Sequence, residues 1–312
     1  MVRLTTVALI ERKPDISRSL FTRYWRDVHG VMAARIPGFE SYVQYHVTPL
    51  AGTRAATAEP VAGTGASTAE PFEGIAIVTF ANAADRAGLA DSDISHFIQR
   101  DEHNVFRRAL LYNLEAGASV TRLADPDAMA NDGPAWLAGG NPAQTAGPAC
   151  LGAATSNNRL SASSGVSIFV LVPAAAGLEP ETVASALGTD GLAELYTHDL
   201  ISGDPTAWNK TDVDDAGGGR RFRCIVHGRW VDIVQARRAI ERATAAVRGE
   251  IASYVVDDVY VMVERGRPTP LGLRGWDALQ TIHEAGAANQ LEDAVMDAIY
   301  RLPKGRADAK RS

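Results

Sequence analysis

Between residues 17 and 36 the apolar side chains recur at helical spacing. Phe21, Trp25, His29 and Met32 follow one another at intervals of four, four and three, which puts them on one stripe of an α-helix. Asp15 or Ser17 stands where a cap belongs, and Pro37-Gly38 ends the run. His29 interrupts the stripe. A titratable ring on a buried face has to be hydrogen-bonded or to look into a cavity, so this helix is the first place to look for chemistry.

The rest of the chain alternates between strand-like and helix-like stretches. In the first half, β-branched and aromatic residues mark strands at 3–11, 39–48, 72–80 and 115–123. The helix just described lies between the first two, and a second helical region spans 83–111 with a break near Asp91-Ser92-Asp93. Residues 49–71 are mostly Ala, Gly, Thr and Pro with few large side chains and read as a long hairpin loop. Residues 125–165, rich in Ala, Gly, Pro, Ser and Asn, read as a linker. Then the order repeats: strands at 166–173, 191–201, 220–230 and 251–264, with helices at 180–187 and 231–248. Val231, Val234, Ile240 and Val247 are expected to face inward on the last of these. One or two further helices are expected within 276–302.

Two βαββαβ units predict an α+β fold of tandem ferredoxin-like modules, each a four-stranded antiparallel sheet with both helices on one face. Thr6–Ile10, Ile75–Phe80 and Ser167–Val172 are apolar at consecutive positions, which implies burial on both faces. The two bare sheet faces are therefore expected to cover each other in an internal pseudo-dimeric α/β barrel. The expected divisions are 1–124, a linker at 125–165, 166–268, and a helical extension at 269–312.

Composition narrows the function. The 312 residues carry a net charge of −6 and no basic face, which argues against nucleic acid. No apolar run is long enough for a membrane span or a signal peptide, so a soluble cytoplasmic protein is expected. Cys150 and Cys224 have no zinc-ligand spacing. His96 and His103 lie seven apart without a supporting ligand pair, so no metal is expected. Gly217-Gly218-Gly219 precedes a strand instead of a helix and is no phosphate loop. No cofactor is expected.

The motif Phe21-x-x-Tyr24-Trp25-x-x-x-His29-Gly30, with Ile36-Pro37-Gly38, Tyr42 and Gln44 after it, resembles the EthD domain of the dimeric α/β-barrel superfamily. Asp101-Glu102-x-x-x-Phe106 is similar to that family's second-helix motif, and Gly30-Val31 stands where proline is usual after the histidine. The resemblance covers roughly residues 3–123; residues 166–264 read as a degenerate second copy without the Trp and His. It implies a pocket between sheet and helices, and activities ranging over cofactor-free lyases, dehydratases and decarboxylases, with cyclases, isomerases, monooxygenases and haem proteins among more distant relatives.

His29 is the candidate general base or acid, since imidazole exchanges protons near neutral pH; the alternative is a histidine that only ties the helix to a strand carbonyl. Asp101, on the stripe of Ile94, Phe97, Ile98 and Val105, is the candidate that orients it; Glu102 points about 100° away. Tyr42 is a candidate donor to a developing oxyanion, with Gln44 and His46 on the same strand face. Phe21, Tyr24, Trp25, Met32, Gln44 and Phe97 are the candidate substrate-binding residues. The leading expectation is a lyase or isomerase acting on a small hydrophobic or aromatic carbonyl compound. The alternatives are a non-catalytic ligand-binding barrel and a cofactor-free monooxygenase. A homodimer is compatible with the sequence.

Overall fold

Runs that are apolar on both faces need a partner layer on each side, and strand pairing shows how they obtain it. The computed structural model describes residues 4–50, 71–92, 94–124, 165–200, 222–247 and 251–300. Strands β1 (Leu4–Arg12), β2 (Phe39–Pro49), β3 (Gly74–Phe80) and β4 (Phe106–Asn113) pair in the order β4-β1-β3-β2. After β5 (Ser119–Ala124), strands β6 (Val166–Pro173), β7 (Leu192–Asp199), β8 (Phe222–Trp230) and β9 (Ala252–Glu264) pair in the order β9-β6-β8-β7. Each set is the antiparallel ferredoxin-like arrangement.

The two sets, with β5 and a short strand β10 (Arg267–Pro268) that pairs with β9, form one ten-stranded sheet. At one seam β2 pairs with β9, from Tyr42↔Val263 to Pro49↔Tyr254. At the other, β5 pairs with β7, with Ser119 opposite His198. β4 and β5 act as one strand in two parts: the Leu114 N–H donates to Thr5 on the β1 side, and Ala118 accepts from Asp199 on the β7 side. β9 divides its pairing in the same way between β6 and β2. The sheet therefore curls back on itself through the chain.

Three apolar layers follow. Val7, Leu9, Val43, Tyr45, Val47, Phe169, Leu171, Ile225 and Tyr254 fill the space between the two half-sheets. Phe21, Trp25, Phe80, Ile98 and Phe106 lie between the first half-sheet and its helices. Trp230, Val226, Val183, Leu187 and Ile240 do the same for the second, under α5 (Pro180–Leu187) and α6 (Ile233–Val247), whereas α1 (Arg18–Tyr24), α2 (Gly30–Ala33), α3 (Ala83–Ala87) and α4 (Ser95–Val105) belong to the first. Trp230 lies over Gly228, where a Cβ would come within 2.3 Å of its ring. The expected strand alternation holds on β2: Tyr42, Gln44 and His46 face the helices and Val43, Tyr45 and Val47 face the barrel interior.

Several expectations are corrected. The second helical region does not run to residue 111. It comprises α3 (Ala83–Ala87), a 3₁₀ turn at Gly88–Asp91 and α4 (Ser95–Val105), and β4 begins at Phe106. Phe-Arg-Arg-Ala-Leu-Leu is acceptable in a helix, but pairing with β1 overrides so weak a preference. Val231, which precedes α6, and Val234 on it are each 54% exposed, and Ala236, Ala239 and Ala243 occupy the inward positions beside Ile240. Small residues set that stripe because the helix lies close to the sheet. The expected hairpin loop and linker fall almost wholly outside the described residues.

The C-terminal region packs on the first half. Helix Pro270–Arg274 lies so close to β9 that a Cβ on Gly272 would sit 1.9 Å from the Met262 carbonyl oxygen. The next helix, Trp276–Glu284, has its first amide held by Asp27 Oδ1 at 2.8 Å. The Arg26 guanidinium, paired with Asp27, sits over the rings of Tyr260 and Trp276. No helix among the described residues is long and apolar enough to cross a membrane.

Candidate active site

The first helix is not uniform. Ser17 caps α1 (Arg18–Tyr24), and the chain then widens into a π-turn at Trp25–His29 before α2 (Gly30–Ala33). A π-turn adds a residue to the turn, and such turns gather at functional sites. Here it brings Trp25, Arg26, His29 and Gly30 all to buried positions. The Trp25 carbonyl accepts the Gly30 N–H and the Gln44 Nε2 amide at 2.9 Å.

Two glycines allow the close approach. A Cβ on Gly74 would meet the Trp25 ring at 2.5 Å, and one on Gly30 would lie 2.6 Å from Gln44 Nε2 and 2.8 Å from Met262. Replacing Gly30 by Ala is expected to lower stability by about 1–3 kcal/mol through overpacking, seen as a lower urea midpoint. An unchanged midpoint would mean that the π-turn has slack.

His29 is 6% exposed, and its ring lies 5.0 Å from that of Phe106, tilted by 60°. Its Nδ1 lies 3.0 Å from Asp101 Oδ2. Asp101 Oδ1 accepts from the Tyr24 hydroxyl at 2.5 Å and from Asn104 Nδ2 at 3.2 Å. Burial pushes the Asp101 carboxyl upward, but the bonds from His29 and Tyr24, the nearby His29 charge and Asn104 outweigh it, and the group ends below its ordinary range. An ionised carboxylate only accepts, so Nδ1 carries the proton and Nε2 is the nitrogen left for proton exchange.

Beneath this pair lies a cavity of about 80 Å³. Its floor is the first half-sheet: Thr6 and Ala8 on β1, Ala76 and Val78 on β3, Ala109 and Leu111 on β4. Ala8 pairs directly with Ala76, and these small side chains keep the floor low. Trp25, His29, Ala33, Ile98 and Glu102 face it from the helix layer, and Tyr42 closes the β2 side. The Tyr42 hydroxyl accepts from Gln44 Nε2 at 2.7 Å. Gln44 is oriented by the Trp25 carbonyl, which can only accept, so the Tyr42 proton is free to be donated elsewhere. Burial pushes the Tyr42 phenol well above its ordinary value, so it stays a donor.

Of the expected site residues, His29, Trp25 and Tyr42 line the cavity, and Asp101 touches His29 from behind it. The others are corrected. Phe21 stacks on the far side of Trp25 at 5.7 Å, and Gln44 holds Trp25 and Tyr42 in place. Tyr24 spends its hydroxyl on Asp101, and Met32 packs at the edge of the helix layer without reaching the cavity. Phe97 is 51% exposed, because the inward face of α4 runs through Ser95, Ile98, Asp101, Glu102 and Val105.

Two polar lining residues were not site candidates from the sequence: Glu102, set aside there as pointing about 100° away, and Thr6. Glu102 is 5% exposed and reaches the cavity; its signal was the i, i+4, i+7 series Ile98, Glu102, Val105. Thr6 shares the strand face of Ala8 and Ile10, and its hydroxyl donates to Asn113 Oδ1 at 2.7 Å. Among the described residues no group of three or more His, Cys, Asp or Glu side chains is arranged to hold a metal ion.

Residues 13–108 match the family model for the EthD domain. No curated protein matches the chain. Among solved structures, an anthrone oxidase-like protein is 11% identical over 86% of this chain and 96% of its own, with a TM-score of 0.43. A mutant chlorite dismutase from Candidatus Nitrospira defluvii is 9% identical over 96% of each chain, with a TM-score of 0.34. At these scores neither bears on the chemistry, whose reading depends on the geometry of the cavity.

Proposed function

We propose, from the premise that residues 13–108 of this chain form an EthD domain, that the cavity under its first helix carries out cofactor-free proton transfer on a small hydrophobic carbonyl compound. The observation that carries this reading is the His29–Asp101 pair at the wall of an otherwise largely apolar cavity. An imidazole held by a carboxylate through Nδ1 offers Nε2 as a base and stabilises the imidazolium that results. Apolar walls select a hydrophobic substrate. His29 would remove a proton from the carbon next to the carbonyl, and Tyr42 would donate a hydrogen bond to the enolate oxygen as charge builds there. Such a step begins lyase and isomerase reactions alike.

The test uses cyclopentanone in D₂O, with α-deuteration followed by proton NMR. The protein is expected to accelerate exchange, and His29→Gln to reduce that acceleration by about a hundredfold or more, with little change in melting temperature. If the wild-type protein gives no acceleration, or if His29→Gln lowers only the melting temperature, the ring is structural and the barrel a binding protein at most.

A further inference from the structure

The indoles of Trp25 and Trp230 are both wholly buried, and neither N–H makes a hydrogen bond among the described residues. A buried tryptophan N–H usually has a partner, and leaving it bare costs free energy that phenylalanine would avoid. Trp25 differs from Trp230 in lining the cavity that holds His29 and Tyr42. The part of its ring nearest Gly74 is the Cζ3–Cη2 edge, the side opposite Nε1. On β2 and β3, Gly74 pairs with His46 and Val78 with Tyr42, and the Ala76–Gln44 pair lies between them. The indole reaches across that middle pair: its N–H lies near enough to the Tyr42 oxygen to temper the upward push of burial on that phenol, without forming a bond. Two neutral donors, the Trp25 N–H and the Tyr42 O–H, thus stand side by side at one wall of a largely apolar space. The π-turn that begins at Trp25 ends at His29, so one widened turn supplies both the ring nitrogen base and the indole.

We infer that Trp25 is a catalytic residue of this cavity, its indole N–H being a second hydrogen-bond donor, beside Tyr42, to the carbonyl oxygen of the substrate. The inference rests on the reading of His29 as the base. His29 Nε2 takes the α-proton, the C–H electron pair becomes the carbon–carbon double bond of the enolate, and the carbonyl π pair moves onto oxygen. A carbonyl or enolate oxygen has room for two donors, and each bond strengthens as the negative charge grows. Return of a proton from the imidazolium to carbon restores the ketone and both side chains. The arrangement also fixes the substrate's orientation: its oxygen lies against Trp25 and Tyr42, and its α-carbon faces His29. An indole N–H can only donate, so it suits the oxygen of a ketone or aldehyde, which only accepts.

The experiment uses cyclopentanone with two readouts. In the first, the full chain carries ¹⁵N in its five tryptophan indoles, and the Trp25 signal is identified by its loss in Trp25→Phe or in Trp25→3-benzothienylalanine. Its N–H proton is expected to move downfield as ketone is added, in the wild type and in His29→Gln alike. In the second, α-deuteration in D₂O, the benzothienyl replacement keeps the bicyclic shape and puts sulfur in place of the N–H. It is expected to lower kcat about a hundredfold with KM little changed. If the wild type exchanges but its Trp25 signal stays put, or if the sulfur variant keeps its kcat, the indole is not a donor and the base reading stands. If the wild type does not exchange, the base reading fails and the catalytic role of the indole with it.

Discussion

Trp25→Ala is expected to lower the stability of the chain by about 3–5 kcal/mol, the range for removing a fully buried large aromatic side chain. The indole is wholly buried, lies over Gly74, stacks on Phe21 and approaches His46 at 4.6 Å. Nothing else can fill its place, because Gly74 has no side chain to move and the floor beside it is alanine. Trp25 also forms one wall of the cavity, so the variant should lose exchange activity beyond its loss of stability. The check is a urea titration. A midpoint shift with an unchanged slope measures the cavity term, and a shift under 1 kcal/mol would show that the helix collapses onto the sheet.

Lowering the pH below about 6.5 is expected to erode stability steadily, because three buried histidines are held neutral in the fold. Burial lowers His46 to about 3, helped by Arg26 and Arg18. Burial lowers His198 to about 4, and burial with the charges of His198 and Arg229 lowers His227 to about 3. The sign follows from proton counting. Below 6.5 the unfolded chain binds protons that the native chain refuses, so stability is fully present above that pH. It is lost as the pH falls toward the folded values between 3 and 4. Each histidine can contribute at most about 1.4 kcal/mol per pH unit across that window. Asp101, whose folded value is depressed, adds to the same trend near the bottom of it. Urea midpoints measured from pH 7.5 to 4.5 should fall throughout the lower half of that range. A flat profile would mean that these rings find water or partners in solution. His46→Phe should flatten part of the slope, since both ring nitrogens of His46 lack a hydrogen-bond partner among the described residues.

The pattern of apolar positions along the chain was enough for the doubled βαββαβ order, because strands buried on both faces leave a continuous apolar record and helices a periodic one. Pro180–Leu187 and Val166–Pro173 have the ends the sequence predicted, since proline and a charge-free β-branched run mark them sharply. The pairing of His29 with Asp101 was also legible, since both lie on helix stripes that face one sheet. Phe97 and Val234 were misplaced for one reason: hydrophobicity names a candidate face, but close helix–sheet contact prefers the side with alanine or serine, and large side chains are left at the rim. Val231 lies before the helix altogether.

The sequence by itself determined the element order, the two-layer requirement of each strand set and the presence of a histidine on a buried helix stripe, because each depends on spacing within one element. Tertiary structure decided the rest. It split the fourth strand between two modules, widened the first helix into a π-turn, and gave Asp101 wholly to its neighbours while turning Glu102 into the cavity. Those outcomes depend on distances between elements, set by which glycines and alanines let two backbones meet, and no single stretch of sequence carries that quantity.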